Sequence, residues 1–356
     1  MPVTAGRPIR PQRAWIQPLL LLLRLAVMGL GLGVITGTAL KLLAPRLAIG
    51  AASRPAAGAN RPQIPQLKAG IELGSFEPRH ELTALSQRWA QLAAAQKDLK
   101  ATAFLLVLDD GRFAQLQPER PLPAASSIKT PILLAGLEDL DSGKLRWNEP
   151  LRLTKEVVGG GAGWMASRPI GSRFPFFEAA TEMIRVSDNS ATNLLIKRLG
   201  GKTDLNARFQ AMGLTATVVN NWLPDLNGTN TTSSHDLARA IALVDTGQTL
   251  SPRARDLFRD IMGSSRTNTL IPLGLLQGLG KDAADPDSEL LRYGVKVFNK
   301  TGDIGIAYAD GALIQLPNGQ RAVAAFMVKG PFNDPRSTDL IRALAAEVAK
   351  TLVGTK

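Results

Sequence analysis

The sequence contains no cysteine and only two histidines, and both shortages narrow its chemistry. Without cysteine there is no disulfide, no thiolate metal site and no cysteine nucleophile. With only His80 and His235, a zinc site built on several histidines is not expected. A Ser-His-Asp triad could draw on just these two side chains. We therefore expect neither a metal ion nor a cofactor.

Acidic residues are missing from the first 70 positions, which carry nine Lys or Arg. Most of the formal net charge of +12 comes from this stretch, and the rest of the chain is nearly balanced. A nucleic-acid-binding protein usually carries its basic patch on the folded domain. The charge distribution therefore argues against nucleic acid as a partner and favours membrane orientation.

Residues 14–43 are strongly apolar, and three arginines precede them. Roughly 20 apolar residues suffice to span a bilayer as a helix, and flanking positive charge stays on the cytoplasmic side. These features predict a basic cytoplasmic N-terminus at 1–13, one transmembrane helix within 14–43 and export of everything that follows. A cleaved signal peptide, which would give a secreted protein, is the alternative.

The remaining sequence divides into a linker at 44–75, rich in Ala and Pro, and a folded domain at 76–354. Apolar spacing predicts strands near both ends of the domain and helices between them, which indicates an α+β fold whose terminal segments share one antiparallel sheet. The predicted helices are 82–99, 126–140, 178–199 and 337–352. The predicted strands are 103–108, 112–117, 294–298, 307–316 and 322–328, with Asp310-Gly311 interrupting the fourth.

A first candidate motif, S-x-x-K, is formed by Ser126-Ser127-Ile128-Lys129 at a predicted helix start. Positions i and i+3 of a helix share a face, which would put Lys129 beside Ser126 Oγ. A desolvated lysine can take the proton of a serine hydroxyl, and an N–H at a helix start would point at a developing oxyanion. Because the tetrapeptide arises easily by chance, alone it indicates only a helix start with a serine N-cap.

Two further motifs follow in order, Ser187-Asp188-Asn189 and Lys300-Thr301-Gly302. Each alone is also explained by an ordinary polar segment, the first between two helices and the second at a strand end. S-x-x-K, then S-D-N, then K-T-G is the signature set of class A β-lactamases and penicillin-binding proteins. The sequence resembles that family over about residues 76–354, including a glycine-containing loop at 159–163.

The resemblance implies a five-stranded antiparallel sheet with flanking helices, packed against an all-helical lobe. It also implies catalytic roles for four residues. Ser126 would attack the carbonyl of a β-lactam or a D-alanyl peptide and form an acyl-enzyme, and Lys129 would help to activate it. Ser187 would pass a proton to the leaving nitrogen. Lys300 would raise the local positive potential and help to hold the substrate carboxylate.

Substrate binding is implied for four more positions. Asn189 would hydrogen-bond the amide side chain of the substrate, and Thr301 would share the substrate carboxylate. Gly302 completes the K-T-G motif, and the N–H of Asp303 would join that of Ser126 in an oxyanion hole. The family usually has a small neutral residue after K-T-G, so the Asp303 carboxylate would disfavour an oxyanion unless it points away.

The sequence departs from the resemblance where class A β-lactamases place the glutamate that activates the deacylating water. The matching stretch is Leu223-Pro224-Asp225-Leu226-Asn227, and no glutamate occurs between Glu182 and Glu289. Leucine cannot act as a base. Asp225 is the nearest carboxylate, and it is either a substitute base or a solvated loop residue.

These observations predict a serine hydrolase of the class A β-lactamase kind that is acylated readily and deacylated slowly. Weak β-lactam hydrolysis would give it a part in β-lactam breakdown and the response to antibiotics. The alternatives are a D,D-peptidase acting on peptidoglycan stem peptides and a penicillin-binding sensor that stays acylated. In each case the N-terminal apolar segment and its basic flank predict a single-pass protein of the bacterial inner membrane, with its catalytic domain on the periplasmic side. His235 is expected to be structural, at a helix N-terminus.

Overall fold

The structure is a computed structural model that describes residues 76–247 and 249–354. Its main sheet has six strands in the order β1-β3-β2-β10-β9-β8. These strands are β1 His80–Glu81, β2 Lys100–Val107, β3 Arg112–Leu116, β8 Lys296–Asp303, β9 Ala307–Gln315 and β10 Arg321–Lys329. Four short strands form two small ribbons, β4 Leu122–Pro123 with β7 Thr231–Thr232 and β5 Pro150–Arg152 with β6 Arg173–Pro175.

Ten α-helices are described along these residues. They are α1 Thr83–Ala94, α2 Lys129–Asp141, α3 Phe176–Arg185, α4 Asn189–Arg198, α5 Gly201–Ala211, α6 Ser234–Asp245, α7 Pro252–Gly263, α8 Ile271–Gly278, α9 Pro286–Arg292 and α10 Pro335–Leu352. Short 3₁₀ turns occur at Ala125–Ile128, Lys155–Val157 and Met165–Ser167.

The central strands are apolar on both faces because helices cover the sheet on both sides. Successive strand side chains point to opposite faces. Phe104 and Leu106 therefore join the core shared with the helical lobe, whereas Leu105 and Val107 join a second core beneath α1, α8 and α10. In that second core Trp89 packs edge-on against Phe326 at 5.5 Å. Strands buried on both faces read as continuous apolar runs rather than alternating ones.

The predicted α+β architecture of the resembled family is confirmed, but the expectation of five antiparallel strands was wrong. The sixth strand, β1, pairs parallel with β3, so the sheet is mixed. His80 lies in β1, ahead of the first helix. A strand of two residues has too little periodicity to be recognised in a sequence.

Three of the differences between predicted and observed elements concern the candidate site. The helix expected over 178–199 is two helices, α3 and α4, with the S-D-N segment between them. The strand expected to end at 298 continues to Asp303, so Lys300-Thr301-Gly302 lies inside β8. Asp310 does not interrupt its strand, because it is fully buried within β9. A polar residue remains in a buried strand when a partner compensates its burial.

The predicted basic N-terminus 1–13, the apolar segment 14–43 and the linker 44–75 lie outside the described residues. Within the part of the chain that the structure describes, no helix is long and apolar enough to cross a membrane.

Candidate active site

The S-x-x-K motif forms a tight turn that leads into α2. Ala125–Ile128 is a 3₁₀ turn, and Lys129 is the first residue of α2. Side chains three residues apart eclipse each other in 3₁₀ geometry, so Ser126 and Lys129 share a face. Ser127 Oγ donates to the Ala124 carbonyl at 2.6 Å, which leaves Ser126 as the serine that lines the pocket. Ala125 has φ of +47°, a strained conformation typical of functional sites.

Lys129 is fully buried and connects the first motif to the second. Its Nζ lies 2.6 Å from the Ser187 carbonyl oxygen, 3.0 Å from Ser187 Oγ and 2.9 Å from Asn189 Oδ1. Burial lowers the pKa of this amine well below that of a free lysine, the charge of Lys300 lowers it further, and Asp188 opposes both. A neutral amine can accept a proton from a serine hydroxyl at neutral pH. These contacts suit both protonation states, since the Ser187 hydroxyl can donate to the unprotonated nitrogen.

Asp188 organises the second motif. Its Oδ1 accepts from the Ala191 N–H at 2.9 Å and caps α4, while its Oδ2 accepts from the N–H groups of Trp164 and Met165 at 2.7 and 2.8 Å. Ser187 is held at φ of +59° beside this cap. The resemblance assigned roles to the residues on either side of Asp188, and the structure adds that Asp188 anchors the loop in front of them.

Gly163 fits against Asp188 in a way that excludes a side chain. A Cβ at Gly163 would lie 2.1 Å from Asp188 Oδ2, and its φ is +81°. We expect Gly163→Ala to lower the free energy of unfolding by at least about 2 kcal/mol, from backbone strain and displacement of the carboxylate. It should also slow acylation. Urea denaturation tests the first effect against Gly160→Ala, a matched control with nothing within 4 Å. Equal stability of the two variants would contradict this role of Gly163.

The K-T-G strand runs directly beside the nucleophile turn because Gly302 has no side chain. A Cβ there would lie 2.8 Å from the Ser126 nitrogen and 2.7 Å from the Ser127 nitrogen. Asp303 is exposed and lines the pocket together with Ser126, and its Oδ1 accepts from the Gly305 N–H at 2.8 Å. This hydrogen bond engages one carboxylate oxygen of Asp303 with the loop that follows β8.

Lys300 and Thr301 are almost fully buried in β8 and lie behind the pocket wall rather than on it. Thr301 Oγ1 donates to Thr267 Oγ1 at 2.6 Å, and Lys300 Nζ donates to the Thr301 carbonyl at 2.6 Å. A hydroxyl group can rotate and act as donor or acceptor, so Thr301 can accept from Thr267 and donate to a carboxylate instead. Contact of a substrate with these two side chains stays a prediction.

Asp310 is a buried carboxylate that the sequence had indicated only as a strand break. It pairs with Thr301 across β8 and β9, and it accepts from Asn299 Nδ2 at 3.0 Å and the Ile271 N–H at 2.9 Å. Burial raises its pKa to about 7. Burial also lowers the pKa of Lys300 to about 8, while Asp310 acts in the opposite direction. An Asp within an apolar strand is the signal that could have identified it.

These pKa values predict how acylation by an anionic penicillin depends on pH. Below 8, Lys300 carries its charge, and above 8 it loses it. We therefore expect the second-order acylation rate constant to fall about tenfold for each pH unit above 8. Asp310→Asn removes a negative partner and should move this fall to lower pH. Stopped-flow acylation between pH 6 and 10 measures both, and a fall at unchanged pH in Asp310→Asn would contradict the coupling.

Leu223 occupies a fixed position on the pocket wall. It is 4% exposed, and Asn193 clamps its backbone: Asn193 Oδ1 accepts from the Leu223 N–H at 2.9 Å, and Asn193 Nδ2 donates to the Leu223 carbonyl at 2.7 Å. The Leu223-Pro224 peptide bond is cis. An apolar side chain therefore lines the pocket at the position where the resembled family has its glutamate.

Asp225 is 5% exposed, so its interpretation as a solvated loop residue was wrong. Its Oδ1 accepts from Thr229 Oγ1 at 2.8 Å and its Oδ2 from the Asn230 N–H at 2.6 Å. The Asn230 carbonyl in turn accepts from the Ala124 N–H at 2.8 Å. The carboxylate thus supports the loop behind the nucleophile turn, and its role as a substitute base remains a prediction.

The pocket itself has a volume of about 120 Å³ and brings the separate segments together. Of the predicted site residues it is lined by Ser126, Asn189, Asp225 and Asp303. Lys129 does not line the pocket but hydrogen-bonds to Asn189, which does, and Ser187 Oγ lies 3.0 Å from Lys129 Nζ. The cavity thus brings together a serine residue and the end of β8, with the Lys129 amine buried behind Asn189. A nucleophile with a buried amine nearby is the kind of arrangement that acyl transfer uses.

The fold and the three motifs are those of the β-lactamase-like serine hydrolases. Residues 84–352 match the beta-lactamase enzyme family, and the chain belongs to this family of class A β-lactamases and related penicillin-binding proteins. It is 27% identical over 265 residues to a β-lactamase of Streptomyces cellulosae, covering 72% of this chain and 77% of that protein. It is also 26% identical over 283 residues to a β-lactamase of Bacillus licheniformis, covering 76% of this chain and 84% of that protein.

Two kinds of solved structure are similar to this one. PBP-A superposes with a TM-score of 0.71 at 41% identity, over 78% of this chain and 98% of that one. A leucine-to-glutamate variant of PBP-A was solved as an acyl-enzyme complex with penicillin G. It has the same TM-score and identity, over 77% of this chain and 98% of that chain. An ancestral class A β-lactamase has a TM-score of 0.65 at 23% identity over 75% and 100%, which supports the fold alone.

Proposed function

We propose that this protein forms an acyl-enzyme on Ser126 with β-lactams and releases it slowly. The observation that carries the proposal is the apolar Leu223 on the wall of a pocket that Ser126 also lines, with Lys129 buried behind Asn189. Acylation needs a nucleophile and a proton acceptor, which Ser126 and Lys129 supply. Deacylation needs a base beside a water molecule, and leucine offers none.

Each residue has a definite task in this mechanism. Lys129 takes the proton of Ser126 as Oγ attacks the β-lactam carbonyl, and the N–H groups of Ser126 and Asp303 stabilise the oxyanion. When the C–N bond breaks, Ser187 gives its proton to the leaving nitrogen and takes the proton held by Lys129, whose Nζ is 3.0 Å from Ser187 Oγ. Lys300 supplies positive potential for the substrate carboxylate.

A second function is favoured by the similarity to PBP-A. The sequence identity to PBP-A is 41%, which is higher than the 27% and 26% identities to the two β-lactamases given above. The protein would then be a penicillin-binding D,D-peptidase acting on D-alanyl peptides. Peptidase turnover with such a peptide would require a deacylation route that the penicilloyl adduct lacks.

Labelling with a fluorescent penicillin tests the proposal, with the reaction followed on denaturing gels. We expect a covalent band in the wild type that unlabelled penicillin G competes away, and none in Ser126→Ala. Ser127→Ala is the matched control and should label. Labelling of Ser126→Ala would refute the assignment of the nucleophile. Release of D-alanine from a peptide ending in D-alanyl-D-alanine decides the second function.

If the N-terminal apolar segment anchors the chain as its sequence predicts, the catalytic domain would act on the periplasmic side of the bacterial inner membrane. Fractionation of cells followed by protease treatment of spheroplasts tests this. Protection of the catalytic domain in intact spheroplasts would contradict it.

A further inference from the structure

A cluster of three potential metal ligands lies outside the pocket, where the β3–β4 connection meets the start of α6. Atoms of Glu119, His235 and Asp236 lie within 4.8 Å of one another. His235 Nδ1 is 3.3 Å from Glu119 Oε1 and 3.9 Å from Asp236 Oδ1. None of the three residues lines the pocket that contains Ser126.

Two of these atoms are buried without a hydrogen-bond partner. Among the described residues, nothing hydrogen-bonds to His235 Nδ1 or Asp236 Oδ1, and Asp236 is 1% exposed. A buried polar atom without a partner costs about 1–3 kcal/mol. A neutral imidazole has at most one proton at Nδ1 to share between two carboxylates. A ligand that satisfies all three atoms at once would remove this cost.

The surrounding structure holds the ligands in place, as neighbouring groups do around metal sites. The second oxygen of Asp236 accepts from the Ala216 N–H and Thr217 Oγ1, each at 2.8 Å. The ring of His235 packs edge-on against Phe76 and Phe104 at 5.0 and 5.2 Å.

The spacing suits a small divalent cation. Tetrahedral Zn²⁺ with bonds of about 2.0–2.1 Å separates its ligand atoms by roughly 3.3 Å. The His235–Glu119 separation of 3.3 Å already fits, and the His235–Asp236 separation of 3.9 Å needs to close by about 0.6 Å. The Glu119–Asp236 separation is at most 4.8 Å and closes by movement of the exposed Glu119 side chain. Two carboxylates balance the charge of the ion. The guanidinium of Arg239 lies 5.6 Å from the ring of Phe76, which packs against His235, and its positive charge opposes cation binding.

We propose that Glu119, His235 and Asp236 bind one divalent transition-metal ion of the Zn²⁺ class, with water completing the coordination. The ion would join the segment before the nucleophile turn to the N-terminus of α6. Its role is structural, because it contacts neither the pocket nor the residues of the three motifs.

Calorimetric titration of the full chain, without a histidine tag and after treatment with a chelator, tests this proposal with Zn²⁺ as the probe. We expect one ion per chain. At a concentration roughly one hundred times Kd, the Tm should rise by about 5 °C. Mg²⁺ at the same concentration should give no comparable rise, since an imidazole ligand favours Zn²⁺.

The chain offers a matched control because it has only two histidines. His235→Gln should weaken binding at least about tenfold, whereas His80→Gln should leave it unchanged. Glu119→Gln should weaken it as well, and the side chain of Glu119 is 63% exposed, so this variant decides the matter if His235→Gln does not fold. Absence of saturable binding, or binding that survives Glu119→Gln and His235→Gln, would overturn the proposal.

Discussion

Leu223→Glu should raise the rate of penicilloyl-enzyme hydrolysis by about 10²-fold or more, because general base catalysis contributes 10²–10⁴-fold. Asn193 clamps the backbone of residue 223, so the new carboxylate would enter the pocket at a fixed position beside Ser126. Acylation should change little, since its groups are untouched. Rapid-mixing measurements of the acylation and deacylation rate constants separate the two steps.

Leu223→Gln is the matched control for this substitution. Glutamine has nearly the shape of glutamate and can orient a water, but it cannot take its proton. We expect its deacylation rate to stay within about tenfold of the wild type. If both variants deacylated equally fast, removal of an apolar side chain would be the cause, and the missing base would not explain slow release. If neither variant deacylated faster than the wild type, Leu223 would not occupy the position of the base.

Lys129→Met should lower the acylation rate constant by about 10³-fold, near the middle of the range for a lost general base. Methionine fills most of the volume of the lysine side chain, but it leaves Asn189 Oδ1 and the Ser187 carbonyl without their buried donor. Fluorescent-penicillin labelling over time measures the rate, and the circular dichroism melting curve confirms that the variant is folded.

Lys197→Met serves as the control for Lys129→Met, because Lys197 is an exposed residue of α4 whose partner is Glu156. Its acylation rate should equal that of the wild type. A folded Lys129→Met that acylates within threefold of the wild type would show that another group activates Ser126.

The sequence was sufficient for the parts of the site that short motifs encode. A helix start near Ser126 follows from local spacing, and the order of the motifs indicated the fold. Spacing alone predicted one helix across Ser187, where the structure has a break between two helices. The replacement of the family's glutamate by Leu223 was also visible in the sequence, since it concerns the identity of a single residue. The structure adds that this leucine lies on the pocket wall.

Contacts between distant segments could not be read from the sequence. The sequence around Asp310 predicts a strand break, because its compensating partners are distant in the chain. These partners are Asn299 and the Ile271 N–H, 11 and 39 residues away. The sequence left open whether Asp225 is a substitute base or a solvated loop residue, since the contacts that close its loop onto Ala124 depend on tertiary packing. Burial decides both roles, and burial is a property of the whole fold.

The central claim is that Ser126 is acylated readily and deacylated slowly, and a time course of intact mass after mixing with penicillin G tests it most directly. The wild type should gain the mass of one penicillin within minutes and keep it for hours, while Ser126→Ala should gain none. An adduct that disappears within seconds to minutes as hydrolysed penicillin accumulates, or no adduct at all, would contradict the account.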